Sequence, residues 1–329
     1  MYNTRFLDNI RVIILAEESL GVRSMATFIE TPDISVLLDA GVSLAPLRYG
    51  LPPHPVEFKA VKEARERILE YASQADIVTI SHYHLDHYTP PFTSWFEWTN
   101  EEIFREVYEG KIVLIKSPEA NINPRQLRRA HSFLKAVKDL AKEVVFCDGK
   151  KFKFLATDIE FSEPLPHGRD DSKLGWVLVT SIKYGKEEVV YAPDVQGPIS
   201  QKTLDYILKT KADLLIIGGP PLYLVGHKVS MNEVCIGMKN LAEIAKKIPV
   251  TIIAHHLLRL KEWEEKSEEV LVSARERKHL AITAAQYMGF KNRLLEAFRK
   301  ELYEREPPSE SFLKWVKNKA ERISEPPPI

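Results

Sequence analysis

Cysteine is almost absent from this chain of 329 residues, which contains only Cys147 and Cys235. Two cysteines exclude a disulfide framework and a zinc site built from cysteine thiolates. The charge balance excludes a strongly basic protein, because 46 Lys and Arg residues match 46 Asp and Glu residues and give a formal net charge of zero. The protein as a whole therefore lacks the basic field that is typical of nucleic-acid binding, although a single groove can still be basic.

Long hydrophobic runs are missing as well. No stretch is long and apolar enough to span a bilayer. The N-terminus lacks the apolar region and the small-residue cleavage site of a signal peptide. We therefore expect a cytoplasmic protein without a membrane partner. Hydrophobic residues make up 44% of the chain and charged residues 28%, which is enough apolar material for a large core.

The apolar residues that are present predict an α/β fold. Short apolar runs such as "SVLLDAG" and "DIVTI" are typical of buried strands, and they alternate with segments of helical periodicity such as residues 55–74. We expect one α/β sandwich domain over residues 1–259, with helices on the outer faces of its sheets. Residues 260–329 are expected to form a C-terminal helical extension. Its apolar positions between Leu280 and Leu302 can pack on the domain or form a homodimer.

Histidine is scarce, with ten residues in the chain, yet three fall within the six-residue stretch "HYHLDH" at 82–87. His82 and His84 follow the predicted strand 76–80 and lie two positions apart, so in extended chain they point the same way and can share one ion. Asp86 and His87 can reach a second position. Imidazole and carboxylate groups are suitable ligands for Zn²⁺, Mn²⁺ or Fe. This density favours a metal site over a polar loop.

Further histidines and aspartates stand where other strands are predicted to end. These are Asp39, His167, Asp194 and the adjacent pair His255 and His256. Each one alone is more often a cap or turn residue than a ligand. Together they are informative, because an α/β sheet gathers its site at the carboxyl ends of its strands.

With these motifs the chain resembles the metallo-β-lactamase-fold superfamily, over residues 11–256. The signature H-x-H-x-D-H stands here as "HYHLDH", and the later motifs follow in the same order. The resemblance implies an αββα sandwich with a dinuclear metal site. It implies that His82, His84 and His167 hold one metal, that Asp86, His87 and His255 hold the other, and that Asp194 bridges them.

The resemblance also implies supporting residues and a preferred metal. Asp39 would support the histidine loop from behind the ligands. The last ligand is either His255 or His256. His255 is chosen because Arg259 follows it by four positions, as in nuclease-like branches. His256 is then a neighbour of the ligands. Two zinc ions are expected, with Mn²⁺ or Fe²⁺ as alternatives. Zinc is favoured because His84 occupies a position where the oxygen-reducing diiron branch usually carries Glu.

Two cations that share a water lower its pKa to about 7 and supply hydroxide at neutral pH. The expected activity is therefore hydrolysis, with Asp86 orienting the hydroxide and with His227 or Tyr223 protonating the leaving group or holding an anion. The substrate is open between a phosphodiester, either a small molecule or a nucleic acid, and an acyl or lactone-type ester. The alternative is a sensor or structural protein that binds metal without turnover. Further candidates for contact with an anion are Tyr223, Lys228, Lys116 and Arg23. A hydrophobic wall could be formed by Trp95 and Trp98. Each of these residues also suits a purely structural role.

Overall fold

The computed structural model describes residues 6–318 and 320–329. The first five residues of the predicted domain 1–259 therefore lie outside the described residues. In chain order, the strands are β1 Arg11–Ile14, β2 Thr27–Glu30, β3 Ser35–Leu38, β4 Ile77–Ile80, β5 Ile112–Ile115, β6 Glu143–Phe146, β7 Lys151–Phe154, β8 Thr157–Phe161, β9 Leu165–Pro166, β10 Trp176–Val177, β11 Thr180–Tyr184, β12 Glu187–Ala192, β13 Leu214–Gly218, β14 Val250–Ala254 and β15 Leu280–Thr283.

The longer helices begin where the sequence offers a cap. His54 and Glu57 form a reciprocal capping box at the start of the first helix, and Ser230 and Glu233 form another further along the chain. The helices are α1 Pro55–Ala72, α2 Glu101–Tyr108, α3 Pro124–Val137, α4 Gln201–Lys209, α5 Met231–Lys247, α6 Trp263–Lys266, α7 Glu268–Glu276, α8 Ala284–Tyr287, α9 Arg299–Arg305, α10 Glu310–Lys317 and α11 Glu321–Ser324.

The strands form two large sheets and one short ribbon. The first sheet has the order β1-β2-β3-β4-β5-β6, and the second has the order β15-β14-β13-β12-β11-β8-β7. The ribbon pairs β9 with β10. Strands β3, β4, β13 and β14 are buried along their whole length, as expected for strands covered on both faces.

The core lies in three layers. Between the sheets, Val36 and Leu38 of β3 belong to the same buried cluster as Leu214 and Ile216 of β13. On the outer face of the first sheet, Leu37 packs in a cluster with side chains of α1, α2 and α3. The outer face of the second sheet is covered by α4, α5 and α7. Each fully buried aliphatic side chain stabilises the fold by about 1.5–3 kcal/mol. The arrangement of helices, sheet, sheet and helices confirms the predicted αββα sandwich.

The same edge of the two sheets receives several loops. Strands β3, β4, β5 and β6 run parallel in the first sheet, and β12, β13, β14 and β15 run parallel in the second. The carboxyl ends of parallel strands open at one edge, so the loops after β3, β4, β12 and β14 can converge there.

The C-terminal region departs from the sequence prediction at one element. Helices are expected throughout from residue 260, but Leu280–Thr283 form strand β15, which pairs in parallel with β14. The segment is only four residues long. It lies between Lys278, which has a positive φ of 61°, and Thr283, which caps α8. Its conformation is therefore decided by the edge of β14, which offers backbone hydrogen bonds to a further strand. The second sheet therefore extends beyond residue 259. Within the described residues, no helix combines the length and apolarity needed to cross a membrane.

Candidate metal centre

Most of the candidate ligands lie in the loops that leave the parallel strands, and His167 follows β9 of the antiparallel ribbon. The motif 82–87 begins two residues after β4, Asp39 follows β3, Asp194 follows β12 and His255 follows β14. Asp39, Asp194 and His255 have positive φ angles of 47°, 50° and 64°. Left-handed backbone is uncommon for residues other than glycine and concentrates at functional sites. At these three positions the chain turns sharply as it leaves the sheet.

The first cluster of ligand atoms surrounds one carboxylate oxygen. Asp194 Oδ2 lies 3.1 Å from His82 Nε2, 3.3 Å from His84 Nδ1 and 2.8 Å from His167 Nε2. His82, His167 and Asp194 are buried, and His84 is half-buried at the floor of a cleft. The sequence-predicted first metal set is thus brought together as one group of ligand atoms within 4.8 Å of one another.

The second cluster lies on the other side of the same carboxylate. Asp86, His87 and His255 also bring their ligand atoms within 4.8 Å of one another. His255 Nε2 lies 2.9 Å from Asp194 Oδ1 and 3.6 Å from Asp86 Oδ2. Asp194 Oδ2 also lies 3.5 Å from His87 Nε2, so the Asp194 carboxylate lies between the two clusters, which is the position expected of a bridging ligand.

Buried atoms without hydrogen-bond partners mark the space between these clusters. Among the described residues, His87 Nε2 and Asp194 Oδ1 are buried beside these clusters and have no such partner. The nearby His255 Nε2 is close to Asp194 Oδ1 but is not aligned to hydrogen-bond it. Unsatisfied buried nitrogen and oxygen atoms are costly, and divalent cations such as zinc satisfy this combination. The donor set therefore fits two cations.

The electrostatics of the clusters follow from their burial and mutual proximity. Burial alone would raise the pKa of Asp194, but His167, His255 and His87 hold it well below its usual range. Burial, with His87 alongside, holds the pKa of His82 well below its ordinary value. The carboxylate is thus ionised and the His82 imidazole neutral, which are the forms that ligate metals.

Two curated proteins resemble this chain along most of its length. A UPF0282 protein of Methanocaldococcus jannaschii is 45% identical over 303 residues, covering 92% of this chain and 99% of the relative. A UPF0282 protein of Pyrococcus horikoshii is 46% identical over 297 residues, covering 90% and 94%. The chain belongs to the UPF0282 family. No family model matches it.

Solved structures that resemble this UPF0282 chain include Tm1679, described as a metal-dependent hydrolase of the beta-lactamase superfamily, with a TM-score of 0.46 and 14% identity over 83% of this chain and 94% of that one. Zinc-bound PqqB from Methylobacterium extorquens gives a TM-score of 0.43 and 11% identity, covering 83% and 97%. The metallo-β-lactamase type of the fold rests on the chain's own two sheets, flanking helices and the histidine motif after β4.

Asp39 lies behind the first motif, as the sequence predicts for a supporting residue. Its Oδ2 accepts a hydrogen bond from His87 Nδ1 at 2.8 Å and others from Ser81 Oγ at 2.5 Å and Tyr191 OH at 3.0 Å. Since the Ser81 hydroxyl proton points to Asp39, its oxygen is left to accept from His82 Nδ1 at 3.0 Å. His82 and His87 of this UPF0282 site therefore each turn an Nε2 lone pair towards the metal position.

Glu18 supports the site in a way that sequence reasoning missed. Its Oε1 lies 3.0 Å from His255 Nδ1 and 2.8 Å from Arg259 Nη2, and all three side chains are buried. Burial would lower the pKa of His255, but Glu18 and Asp194 raise it. A carboxylate that accepts from Nδ1 is the arrangement that turns the Nε2 of a ligating histidine towards a metal, and Arg259 Nη2 lies 3.1 Å from this Nε2 in the structure. The local signal in the sequence is the pair Glu17 and Glu18 at the end of an apolar run.

His256 is arranged differently from its neighbour. Its Nδ1 lies 3.0 Å from Arg259 Nη1 and 3.1 Å from Tyr223 OH. An arginine can only donate, so Nδ1 accepts and the ring hydrogen of the neutral form sits on Nε2. Burial and Arg259 lower the pKa of His256 to about 3, which keeps the ring neutral. A nitrogen that carries hydrogen has no lone pair for a metal, so this geometry favours His255 as the ligand.

The remaining candidates occupy varied positions. His227 is exposed at the rim of the cleft, and its side chain makes no hydrogen bond to another described residue. Tyr223 contacts His256, and Arg23 is paired with Glu296 at 2.6 Å. Lys116 is buried and faces Asp148, away from the cleft. Trp95 and Trp98 pack on each other at 5.4 Å within a core cluster, so they form no wall of the cleft.

Proposed function

We propose that this UPF0282 protein is a metal-dependent hydrolase with a dinuclear centre. One observation carries the proposal: the Asp194 carboxylate lies between two clusters of ligand atoms and has histidine nitrogens of both clusters within 3.5 Å. The centre opens into a cleft of about 910 Å³, which is room for a substrate as well as water. The side chains that would hold the cations are His82, His84, His167, Asp86, His87, His255 and Asp194.

Bound divalent cations would acidify a water molecule and polarise the substrate oxygen that it attacks. The chain's own residues position these reactants. Asp39 and Glu18 fix the ring orientation of His87 and His255. Asp86 is half-buried at the cleft floor, where its carboxylate can orient the attacking water. Zinc is the proposed metal, since three histidines and one carboxylate at the first position suit its preference, and Mn²⁺ or Fe²⁺ are alternatives.

His256 can serve the reaction as a hydrogen-bond donor. Its Nε2 hydrogen faces the cleft beside Asp194 Oδ1, at 3.3 Å, and has no hydrogen-bond partner. A fixed donor at this place can stabilise an oxygen on which negative charge develops. His227, at the exposed rim, stays a predicted proton donor for the leaving group.

A substrate screen tests the proposal. Zinc- and manganese-loaded protein is assayed with bis-p-nitrophenyl phosphate, a lactone and a thioester. We expect turnover of at least one of these, and none in a variant that carries both His82→Ala and His84→Ala. Protein that binds two cations per chain and hydrolyses none of the three would contradict the proposal and favour the alternative of a metal-binding sensor.

The two adjacent histidines are predicted to respond differently to substitution. His255→Ala should lower the bound metal from about two equivalents per chain to about one, because it removes a ligand. His256→Gln should leave the metal content unchanged and lower kcat by about a hundredfold, at the lower end of the range for loss of one stabilising donor. Elemental analysis of the two purified variants beside the wild type checks this assignment, and the reverse pattern would make His256 the ligand.

A further inference from the structure

The cleft above the metal centre concentrates cations that have no acidic partner. Within the described residues, five basic side chains line the cleft with no carboxylate oxygen within 4.0 Å. The other cations of the lining are paired, for example Arg259 with Glu18 and Arg169 with Glu233. The five unpaired cations are Arg48, Arg125, Arg129, Lys173 and Lys228. In a chain of zero net charge, this excess is a local property of the cleft.

The acidic side chains of the lining do not cancel this charge. Asp86 and Asp194 belong to the candidate metal clusters, where the proposed cations would offset their charge. Glu233 accepts hydrogen bonds from Ser230 and pairs with Arg169. Glu97 is buried and hydrogen-bonded to Ser94, and its charge acts on Arg129 and on the buried Arg65, so it offsets only part of the charge on the α3 side. The free field of the cleft is therefore positive.

One group of cations lies beside the first ligand cluster. Arg125 and Arg129 stand on α3, and Lys173 stands in the loop that packs against the start of this helix. Gln126 of α3 connects the helix with this loop and with the ligand cluster. Its Nε2 donates to Leu174 O at 2.8 Å and lies 3.3 Å from His84 Nε2. We call Arg125, Arg129 and Lys173 the α3 wall.

A second group lies on the side of His256. Tyr223 contacts His256 at 3.1 Å, and the Arg48 guanidinium lies over the rings of Tyr49 and Tyr223, at 4.6 and 4.8 Å. Arg48 Nε is buried without a hydrogen-bond partner, so the stacked guanidinium retains a free donor. Lys228 lines the same side. The metal centre thus lies between two cationic walls.

We infer that the substrate is a phosphodiester that carries at least one further phosphate, which the α3 wall holds while the diester lies at the metal centre. This inference rests on the proposed function. Arginine and lysine are the side chains that bind phosphate oxygens by charge-assisted hydrogen bonds. A small neutral lactone or thioester would gain nothing from unpaired cations on two sides of the centre. A diester with a second phosphate uses the metals and the wall together.

Two thymidine dinucleotides test the inference, one with a 5′-phosphate and one without. For the wild type we expect kcat/KM to be about tenfold higher for the phosphorylated substrate, as for one charged hydrogen-bonded contact. Joint replacement Arg125→Gln and Lys173→Gln should abolish this preference. The matched control is Arg128→Gln, which removes an exposed cation from the same helix outside the cleft and should change nothing.

A binding measurement separates this inference from the hydrolase proposal. Calorimetry in a chelating buffer measures binding of the phosphorylated dinucleotide to metal-free protein, where turnover plays no part. We expect the double variant to bind it about tenfold more weakly than the wild type and the Arg128→Gln control. Equal kcat/KM for the two dinucleotides, or unchanged binding in the double variant, would overturn the inference and leave the hydrolase proposal standing. Failure of the wild type to hydrolyse any diester, lactone or thioester would instead overturn the hydrolase proposal.

Discussion

Replacing Asp194 with alanine is expected to empty both metal positions and to reduce hydrolysis to the background rate. Asp194 is buried and faces His82, His84 and His167 through one oxygen and His255 through the other. Its loss would leave these histidines without the carboxylate that is proposed to bridge the two cations. No other single substitution removes a ligand from both clusters at once. Elemental analysis and the same hydrolysis assays measure the effect.

The control for this substitution is Asp171→Ala. Asp171 is an exposed aspartate that pairs with Arg169 at the surface, and its loss should alter neither metal content nor turnover. Circular dichroism of the Asp194→Ala protein shows whether the fold is retained. An alanine variant that still bound two cations per chain would contradict the bridging role.

Replacing Arg299 with alanine is expected to lower the free energy of unfolding by about 3–5 kcal/mol, the range for breaking a buried ion pair. Arg299 Nε and Nη2 each donate to Glu57, at 2.8 Å, and both side chains are buried. Burial raises the pKa of Glu57 even with the guanidinium beside it. The substitution leaves the Glu57 carboxylate unpaired in the core. It also removes the hydrogen bond that Arg299 Nη1 donates to Leu51 O. Chemical denaturation followed by circular dichroism measures the change.

Two further variants identify the cause of this loss. Arg293→Ala breaks an exposed pair with Glu63 in the same segment and should cost less than about 1 kcal/mol. Joint replacement Glu57→Gln and Arg299→Met should recover part of the lost stability, because no unpaired charge stays buried. A double variant no more stable than Arg299→Ala would show that lost packing, and not the stranded charge, is responsible.

The residues of the metal clusters are the part of the site that the sequence predicts best. The spacing of His82 and His84 is informative without any tertiary knowledge, because two positions along an extended chain return to the same face. Asp194 and His255 follow predicted strands, and parallel strands open at one edge of a sheet. His167 also follows a predicted strand, but that strand is β9 of the antiparallel ribbon, so this argument does not place it. The αββα sandwich was predictable because its strands are short apolar runs that alternate with amphipathic helices.

Other features depend on contacts between distant parts of the chain, and local patterns do not encode these. Glu18 meets His255 across 237 positions, and Arg259 decides which nitrogen of His256 carries hydrogen. Strand β15 exists because β14 offers an edge to a segment of only four residues. The α3 wall combines Arg125 with Lys173, which are ordinary surface cations until the loop packs on the helix.

The central claim is that seven side chains of this UPF0282 protein form one dinuclear centre. Calorimetric titration of chelator-treated protein with Zn²⁺ tests it most directly. The account predicts binding of two cations per chain in the wild type, and fewer than one with intact folding in a variant that combines His82→Ala with His87→Ala. Binding of no cation by the wild type, or of two by this variant, would contradict it.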